Sequence, residues 1–387
     1  MSKTKKFIPY GKQWINDDDI RSVADVLKSD YLTQGPKVKE FEDKICEYTG
    51  AKYCVAVANG TAALHLAVVA LKIKKGSEGI TSPNTFVASA NCMLFNNLIP
   101  RFADIDPNTY NINPQNLLRL INKKTRLVIP VHFAGQSVDM PEIYTIAKEY
   151  NLFVIEDASH AIGSQYADGS YVGNCRYSNL TTFSFHPVKT ITTGEGGAIT
   201  TNSKDLYERL LMLRSHGITK DETKIKKSPG PWYYEMQILG LNYRLTDIQA
   251  ALGLSQLKRL NEFKQRRREI VSCYNEAFKN IDWLEIPYEA ENLSSCFHLY
   301  VIQIDFKKIG KTRKQVMDFL AGKNIGTQVH YIPIHTQPYY RDHFGARFYD
   351  CPVAEDYYKK ALSIPLFPKM TDADVKHVVK SVISLYE

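Results

Sequence analysis

Lys189 has the setting that most suggests covalent chemistry. It ends the run Ser184-Phe185-His186-Pro187-Val188-Lys189, behind a β-rich stretch and just before the glycine-rich return Gly194-Glu195-Gly196-Gly197. An amine held by backbone and shielded from water loses basicity and can form a Schiff base with a carbonyl; a solvated surface lysine needs no such setting. Upstream, Val154-Ile155-Glu156-Asp157-Ala158-Ser159-His160 brings two carboxylates to the end of an apolar run. A buried Asp157 must be paired with a cation or a strong donor; a protonated pyridine nitrogen is one such partner, and a helix cap is the duller role. His160 could donate to a cofactor hydroxyl or be a satisfied core histidine.

Two further groups fit the same kind of site. In Asn59-Gly60-Thr61-Ala62-Ala63, Gly60 permits close backbone approach, and the N–H groups of a helix start with the Thr61 hydroxyl could hold a phosphate or simply cap the helix. The pattern is neither GxGxxG nor GxxxxGK[ST], which disfavours dinucleotide-fold and P-loop readings. In Leu241-Asn242-Tyr243-Arg244-Leu245-Thr246-Asp247, Asn242 and Arg244 could bind phosphate or carboxylate from a neighbouring subunit, or cap and pair at the surface.

The elements that must position these groups alternate. Strand-like runs at 53–58, 126–131, 152–156, 180–185 and 197–200 are separated by helical patterns such as 61–71, 140–149 and 204–213, which predicts an α/β domain with a largely parallel sheet and a ligand site beyond the carboxyl ends of its strands. Residues 219–237, with Lys224, Lys226 and Lys227 ahead of Trp232, Tyr233 and Tyr234, read as a surface loop long enough for a functional or interface role. One long helix is expected from Thr246 to 277, with Thr246 as N-cap. Beyond it, a strand at 298–304, a helix at 313–321, an extended run at 326–331 and a helix at 372–386 suggest a small α+β unit.

Composition bounds the rest. The 387 residues are 44% hydrophobic and 23% charged, enough for two domains and unlike a disordered, collagenous or disulfide-stapled chain. Forty-nine Lys and Arg against 41 Asp and Glu give +8, which suits an anionic substrate and is weak support for nucleic acid, so no nucleic-acid partner is expected. The seven cysteines form no CxxC pair, fitting a reducing compartment, and no metal is expected. The opening MSKTKK is not followed by an apolar core of signal-peptide length, and the best apolar stretch, 62–71, is short and interrupted by His65. The expectation is a cytoplasmic protein with no membrane partner.

Taken together, Asn59-Gly60-Thr61-Ala62-Ala63-Leu64-His65, Pro83-Asn84-Thr85-Phe86-Val87-Ala88, Glu156-Asp157-Ala158-Ser159-His160-Ala161, Ser184 to Lys189, Gly194-Glu195-Gly196-Gly197 and Asn242 to Asp247 closely resemble the DegT/DnrJ/EryC1/StrS sugar aminotransferases over nearly the whole chain. The resemblance implies fold type I of the pyridoxal phosphate enzymes: a large cofactor-binding domain at 1–255 with an N-terminal arm and a mainly parallel central sheet, and a small α+β domain at 256–387. It implies pyridoxal 5′-phosphate as cofactor, pyridoxamine 5′-phosphate as its aminated form, and a homodimer with composite active sites. It makes Lys189 the Schiff-base lysine and Asp157 the partner of the ring nitrogen. Phe86 would cover one ring face, and His160 would meet the ring hydroxyl side, where many members carry Gln. Thr61, Ala62 and Ser184 would hold the phosphate, helped by Asn242 of the other subunit.

Within the family, Gly230-Pro231-Trp232-Tyr233-Tyr234-Glu235 and Tyr331-Ile332-Pro333-Ile334-His335-Thr336-Gln337-Pro338-Tyr339-Tyr340 resemble the branch serving pseudaminic acid biosynthesis. That branch moves the amino group of L-glutamate to C4 of UDP-2-acetamido-2,6-dideoxy-β-L-arabino-hex-4-ulose, giving UDP-4-amino-4,6-dideoxy-N-acetyl-β-L-altrosamine and 2-oxoglutarate. Arg244, Trp232, Tyr234, His330, Tyr331, His335 and the Lys224 to Lys227 loop are the candidate substrate contacts. Other nucleotide keto sugars are the alternatives: the D-xylo epimer of bacillosamine synthesis, or a dTDP-linked 3-keto or 4-keto sugar. A sugar-binding protein of the same fold without catalysis is the rival of another class. A dehydratase of the superfamily would need another residue in place of Lys189.

Overall fold

The computed structural model describes residues 7–221, 223–226, 229–345 and 350–386; the basic opening residues 1–6 and Lys227 lie outside them. Among the described residues seven strands form the main sheet: β1 (Tyr53–Val57), β2 (Glu78–Thr81), β3 (Ile99–Phe102), β4 (Thr125–Ile129), β5 (Phe153–Asp157), β6 (Leu180–Ser184) and β7 (Gly197–Thr201). Their order is β1-β7-β6-β5-β4-β2-β3. From β6 to β3 every pairing is parallel, while β7 runs antiparallel to both β1 and β6.

The strands are short apolar runs because both faces of the sheet are covered. Val55, Val57, Leu127, Ile129 and Ile155 enter one core, and Cys54, Ala56, Val128 and Val154 the other. The helix Gly60–Ala70 lies within the first core and is apolar almost all round, as a fully enclosed helix must be. Asn59 starts it, its side chain accepting the Ala62 N–H.

A short hairpin, β8 (Ile218–Thr219) with β9 (Glu235–Met236), stands within the segment expected as a loop. A second sheet follows, β10 (Leu284–Glu285), β11 (Tyr300–Ile304) and β12 (Ala361–Ile364), antiparallel in that order. The helices Leu260–Phe278, Arg313–Gly322 and Asp372–Ile383 pack on it around Tyr274, Phe278, Tyr300, Ile302, Val316, Leu320 and Val378. The fold is therefore α/β with a mainly parallel central sheet and a smaller C-terminal α+β part, as expected.

Two local expectations are corrected. The single helix from 246 to 277 is two, Asp247–Lys258 and Leu260–Phe278. Arg259 ends the first with its N–H on Gln256 O (3.0 Å), and its guanidinium lies over the Trp14 and Phe263 rings at 4.5 and 4.6 Å. Thr246 does cap the first of them, in a capping box with Gln249. The last helix stops at Ile383. The extended run at 326–331 meets β12 at the Gln328–Ser363 bridge and through His330 Nδ1 on Ser363 Oγ (2.7 Å). The helices Asp17–Leu27 and Pro36–Thr49 and the strands β2 and β3 had not been read from the sequence. No helix among the described residues is long and apolar enough to cross a membrane.

Candidate active site

A cavity of about 820 Å³ opens beyond the carboxyl ends of β4, β5 and β6, the place a parallel sheet leaves for a ligand. The sheet delivers Asp157 and Ser184, and the loop after β6 delivers Lys189. Thr85 and Phe86 form a second side, and His298 with residues 328–332 forms a third. Tyr10 closes the cavity from the N-terminal segment.

Adjacent residues of a strand point to opposite faces, and β5 uses both. Asp157 is only 4% exposed. Its Oδ1 accepts the Ser159 N–H (3.1 Å) and hydroxyl (2.6 Å), and its Oδ2 accepts the Ser89 hydroxyl (2.7 Å). Ser89 in turn shares a hydrogen bond with Thr85 (2.8 Å). On the far face, Glu156 is fully buried and accepts Tyr166 Oη (2.5 Å), Ser178 Oγ (2.5 Å), His132 Nε2 (2.9 Å) and Thr181 Oγ1 (3.0 Å). His132 Nδ1 accepts the Val138 N–H, so its proton sits on Nε2 and points at Glu156. Burial pushes the Glu156 carboxyl up, but these donors, His132 first, outweigh burial and hold it below the usual range.

Lys189 sits with part of its side chain open to the cavity. Desolvation pushes its ammonium down to about 8, against a pull upward from the Asp157 charge. Three imidazoles share its surroundings. His160 bonds Tyr331 Oη through Nε2 (3.1 Å), and His330 bonds Ser363 Oγ through Nδ1 (2.7 Å). His298 packs on His160 with centroids 4.4 Å apart. Burial, then nearby positive charge, holds all three below the usual histidine range, His330 at about 3. Burial also raises the Tyr331 hydroxyl, so it stays protonated.

The opposite end of the cavity is a backbone cradle. The first N–H groups of a helix have no partner within it, and those of Gly60–Ala70 face Ser184 across the cavity lining. A Cβ on Gly60 would lie 2.7 Å from Ser184 Cβ, and one on Gly197 would lie 2.5 Å from Asn59 O. Both approaches require glycine. The Ala62 N–H is taken by Asn59 Oδ1 at 2.8 Å, which leaves Gly60, Thr61 and the Ser184 hydroxyl as the available donors.

Of the residues singled out in the sequence, Thr61, Ala62, Phe86, Asp157, His160, Ser184, Lys189, His330 and Tyr331 all line this one cavity. Others stand apart. Asn242 is exposed, Arg244 Nη1 donates to Ser215 Oγ (3.3 Å), and Trp232 and Tyr234 project from the β8–β9 segment, Trp232 70% exposed. His335 is buried with Nε2 on Glu355 Oε1 (3.0 Å), and Lys224 pairs with Glu208 (2.6 Å). Sequence reasoning missed Tyr10, Ser89, Gln328 and His298. Ser89 stands in the first turn of the helix Ala88–Phe95 and meets Asp157 only through the fold; His298 was hidden at the head of the apolar run expected as a strand, two residues before β11 begins.

The family profile described as the DegT/DnrJ/EryC1/StrS aminotransferase family matches residues 13–383. The spore coat polysaccharide biosynthesis protein SpsC of Bacillus subtilis is 43% identical over 383 residues, covering 99% of this chain and 98% of SpsC. Among solved structures, Helicobacter pylori PseC, an aminotransferase of pseudaminic acid biosynthesis, superposes with a TM-score of 0.91 at 33% identity, covering 98% of this chain and 99% of its own. The sugar aminotransferase Spr1654 of Streptococcus pneumoniae in its PMP form gives 0.89 at 29%, with 98% and 99% covered. A match of this extent, on a fold whose cavity gathers the motif residues, makes the chain a member of the DegT/DnrJ/EryC1/StrS aminotransferase family, pyridoxal phosphate enzymes that aminate nucleotide-linked sugars.

Proposed function

We propose that this protein transfers the amino group of L-glutamate to C4 of UDP-2-acetamido-2,6-dideoxy-β-L-arabino-hex-4-ulose. The observation that carries the chemistry is one cavity holding a lysine of lowered basicity, a buried carboxylate and a helix-start cradle. The residues fit pyridoxal 5′-phosphate: Gly60, Thr61 and Ser184 are the donors for its phosphate, Asp157 the acceptor for its ring N–H, and Phe86 and His160 the contacts for the ring. The cofactor, when bound, supplies the electron sink and carries the amino group. Asp157 keeps the ring nitrogen protonated, and Ser89 and Ser159 orient that carboxylate through their hydrogen bonds. Lys189 Nζ takes the proton from Cα of glutamate and returns one at C4 of the sugar, a task suited to an amine near 8.

Two copies of the chain form the working unit in this reading, with Asn242 and Arg244 reaching the partner's cavity. Its support is their exclusion from the cavity of their own chain and the exposed apolar surface beside them: Trp232, Tyr234, Met236 and Leu239, the last 84% exposed. Seven free cysteines support a cytoplasmic location, and a division into two domains at 255/256, a point within the helix Asp247–Lys258, is supported by the separation of β1–β7 before it from β10–β12 after it.

For the sugar, the support is the likeness to PseC along the whole chain and the aromatic blocks at 230–235 and 331–340. The 43% identity to SpsC favours a second reading, in which the same chemistry serves another nucleotide keto sugar. The deciding experiment supplies both C5 epimers of the UDP-4-keto-6-deoxy N-acetyl sugar with glutamate, and follows 2-oxoglutarate and the product by NMR. Amination of the L-arabino sugar at C4 is expected. Preference for the D-xylo epimer moves the protein to the second reading, and turnover of neither sinks both substrate assignments.

A further inference from the structure

His298 has no place in the scheme above, yet the fold builds a site around it. It is 4% exposed and still lines the cavity. Its backbone is fixed on two sides: Arg267 Nη1 donates to its carbonyl (3.1 Å), and a Cβ on Gly135 would come within 3.0 Å of its nitrogen. Its ring lies against His160. Nδ1 is sealed from solvent and has no partner among the described residues. Nε2 is not sealed and makes no hydrogen bond within the described chain, which leaves it open to the cavity.

These facts fix where the proton goes. A buried N–H without an acceptor gives up its hydrogen bond to water and gains nothing in exchange, so the sealed Nδ1 remains bare and the proton sits on Nε2, facing the cavity. The ring is also uncharged, because burial and the neighbouring His160, Lys189 and Arg267 disfavour a second proton. A neutral, rigid N–H donor suits an uncharged oxygen; a carboxylate is better served by a charged donor.

Building on the amination reading, we infer that His298 is a specificity residue for the sugar, its Nε2–H donating to an uncharged hydroxyl, carbonyl or acetamido oxygen of the keto sugar and not to the carboxylates of the amino donor.

The test compares His298→Gln, which keeps a donor at the reach of Nε2, with His298→Met, of similar size and without one. The two half-reactions are followed separately in the holoenzyme by cofactor absorbance. In His298→Met, kcat/KM for the keto sugar should fall about 10- to 100-fold, mainly through KM, while the glutamate half-reaction stays within about threefold. His298→Gln should recover most of the loss. Equal losses in both half-reactions, an unchanged sugar half-reaction, or Gln and Met behaving alike would overturn the inference. A second measurement needs no turnover: imidazole nitrogen NMR of the wild-type protein should show His298 neutral and protonated on Nε2. A proton on Nδ1 or a charged ring overturns it also. Wild-type protein inert toward glutamate would instead sink the amination reading, an outcome separate from the ring's tautomer.

Discussion

Glu156 and Asp157 are neighbours on β5, yet their carboxylates leave the sheet on opposite faces and are treated in opposite ways. Glu156 is enclosed by His132, Tyr166, Ser178 and Thr181, all of its acceptor capacity spent inside the protein. Asp157 is equally buried but lines the cavity, its donors confined to Ser89 and Ser159. A carboxylate satisfied wholly by the fold contributes to stability, and one that keeps a side for a ligand contributes to chemistry. Burial and hydrogen bonding alone do not separate the two; the face of the strand does.

The largest effect that would test this contrast is on the cavity side. Lys189→Ala should lower turnover by at least about 10³-fold, with a melting curve still cooperative, since the substitution removes an amine whose desolvation opposes folding. A fall below about tenfold would show that Lys189 is not the proton carrier.

A pair of isosteric changes sharpens the comparison further. Asp157→Asn should cost about 10²-fold or more in turnover while denaturant unfolding stays close to wild type. Glu156→Gln should do the reverse, costing about 2–4 kcal/mol of stability with activity per folded molecule within severalfold. The pH dependence carries the same signature. Because the folded Glu156 carboxyl lies below its ordinary value, its contribution is present above the usual carboxylate range and lost as pH falls through the depressed one. Stability curves of wild type and Glu156→Gln should therefore converge toward acid.

The smallest effect is on a titration. In the cofactor-free protein, reaction of Lys189 with an amine-selective reagent should rise through about pH 8, well below the surface lysines. Since the Asp157 charge pulls that value up, Asp157→Asn should move the midpoint lower, whereas Glu156→Gln should leave it in place. A shift of equal size in both variants would abolish the distinction between the faces.

Legibility in the sequence followed the same division. The sheet side of the cavity was readable, because short apolar strands, a Gly at a helix start and a carboxylate at a strand end each leave a local pattern. Lys189, Asp157 and Gly60 come from such patterns, while the role expected of Ser184 came from the family resemblance. The C-terminal side was not: His298 and Gln328 reach the cavity through β11 and a bridge to β12, pairings far apart in sequence that no local period records. The break at Arg259 was hidden for a related reason, since Trp14, on which its guanidinium lies, belongs to a distant segment. Glu156 was read as half of a carboxylate pair, and only the fold shows that its four donors lie on the other face.

The segment that brings Tyr10 to the cavity is tied to the far part of the chain: the Ile8 N–H donates to Asn324 O, the Gly326 N–H to Ile8 O, and the Leu366 N–H to Tyr10 O. These backbone pairs are made with residues 324–366, so forming them closes a loop that spans most of the chain, and the entropy of that closure opposes them until the C-terminal part is in place. Tyr10 therefore keeps its place at the cavity through partners at the far end of the sequence, and a chain cut before residue 324 lacks the carbonyl and N–H groups that hold it there.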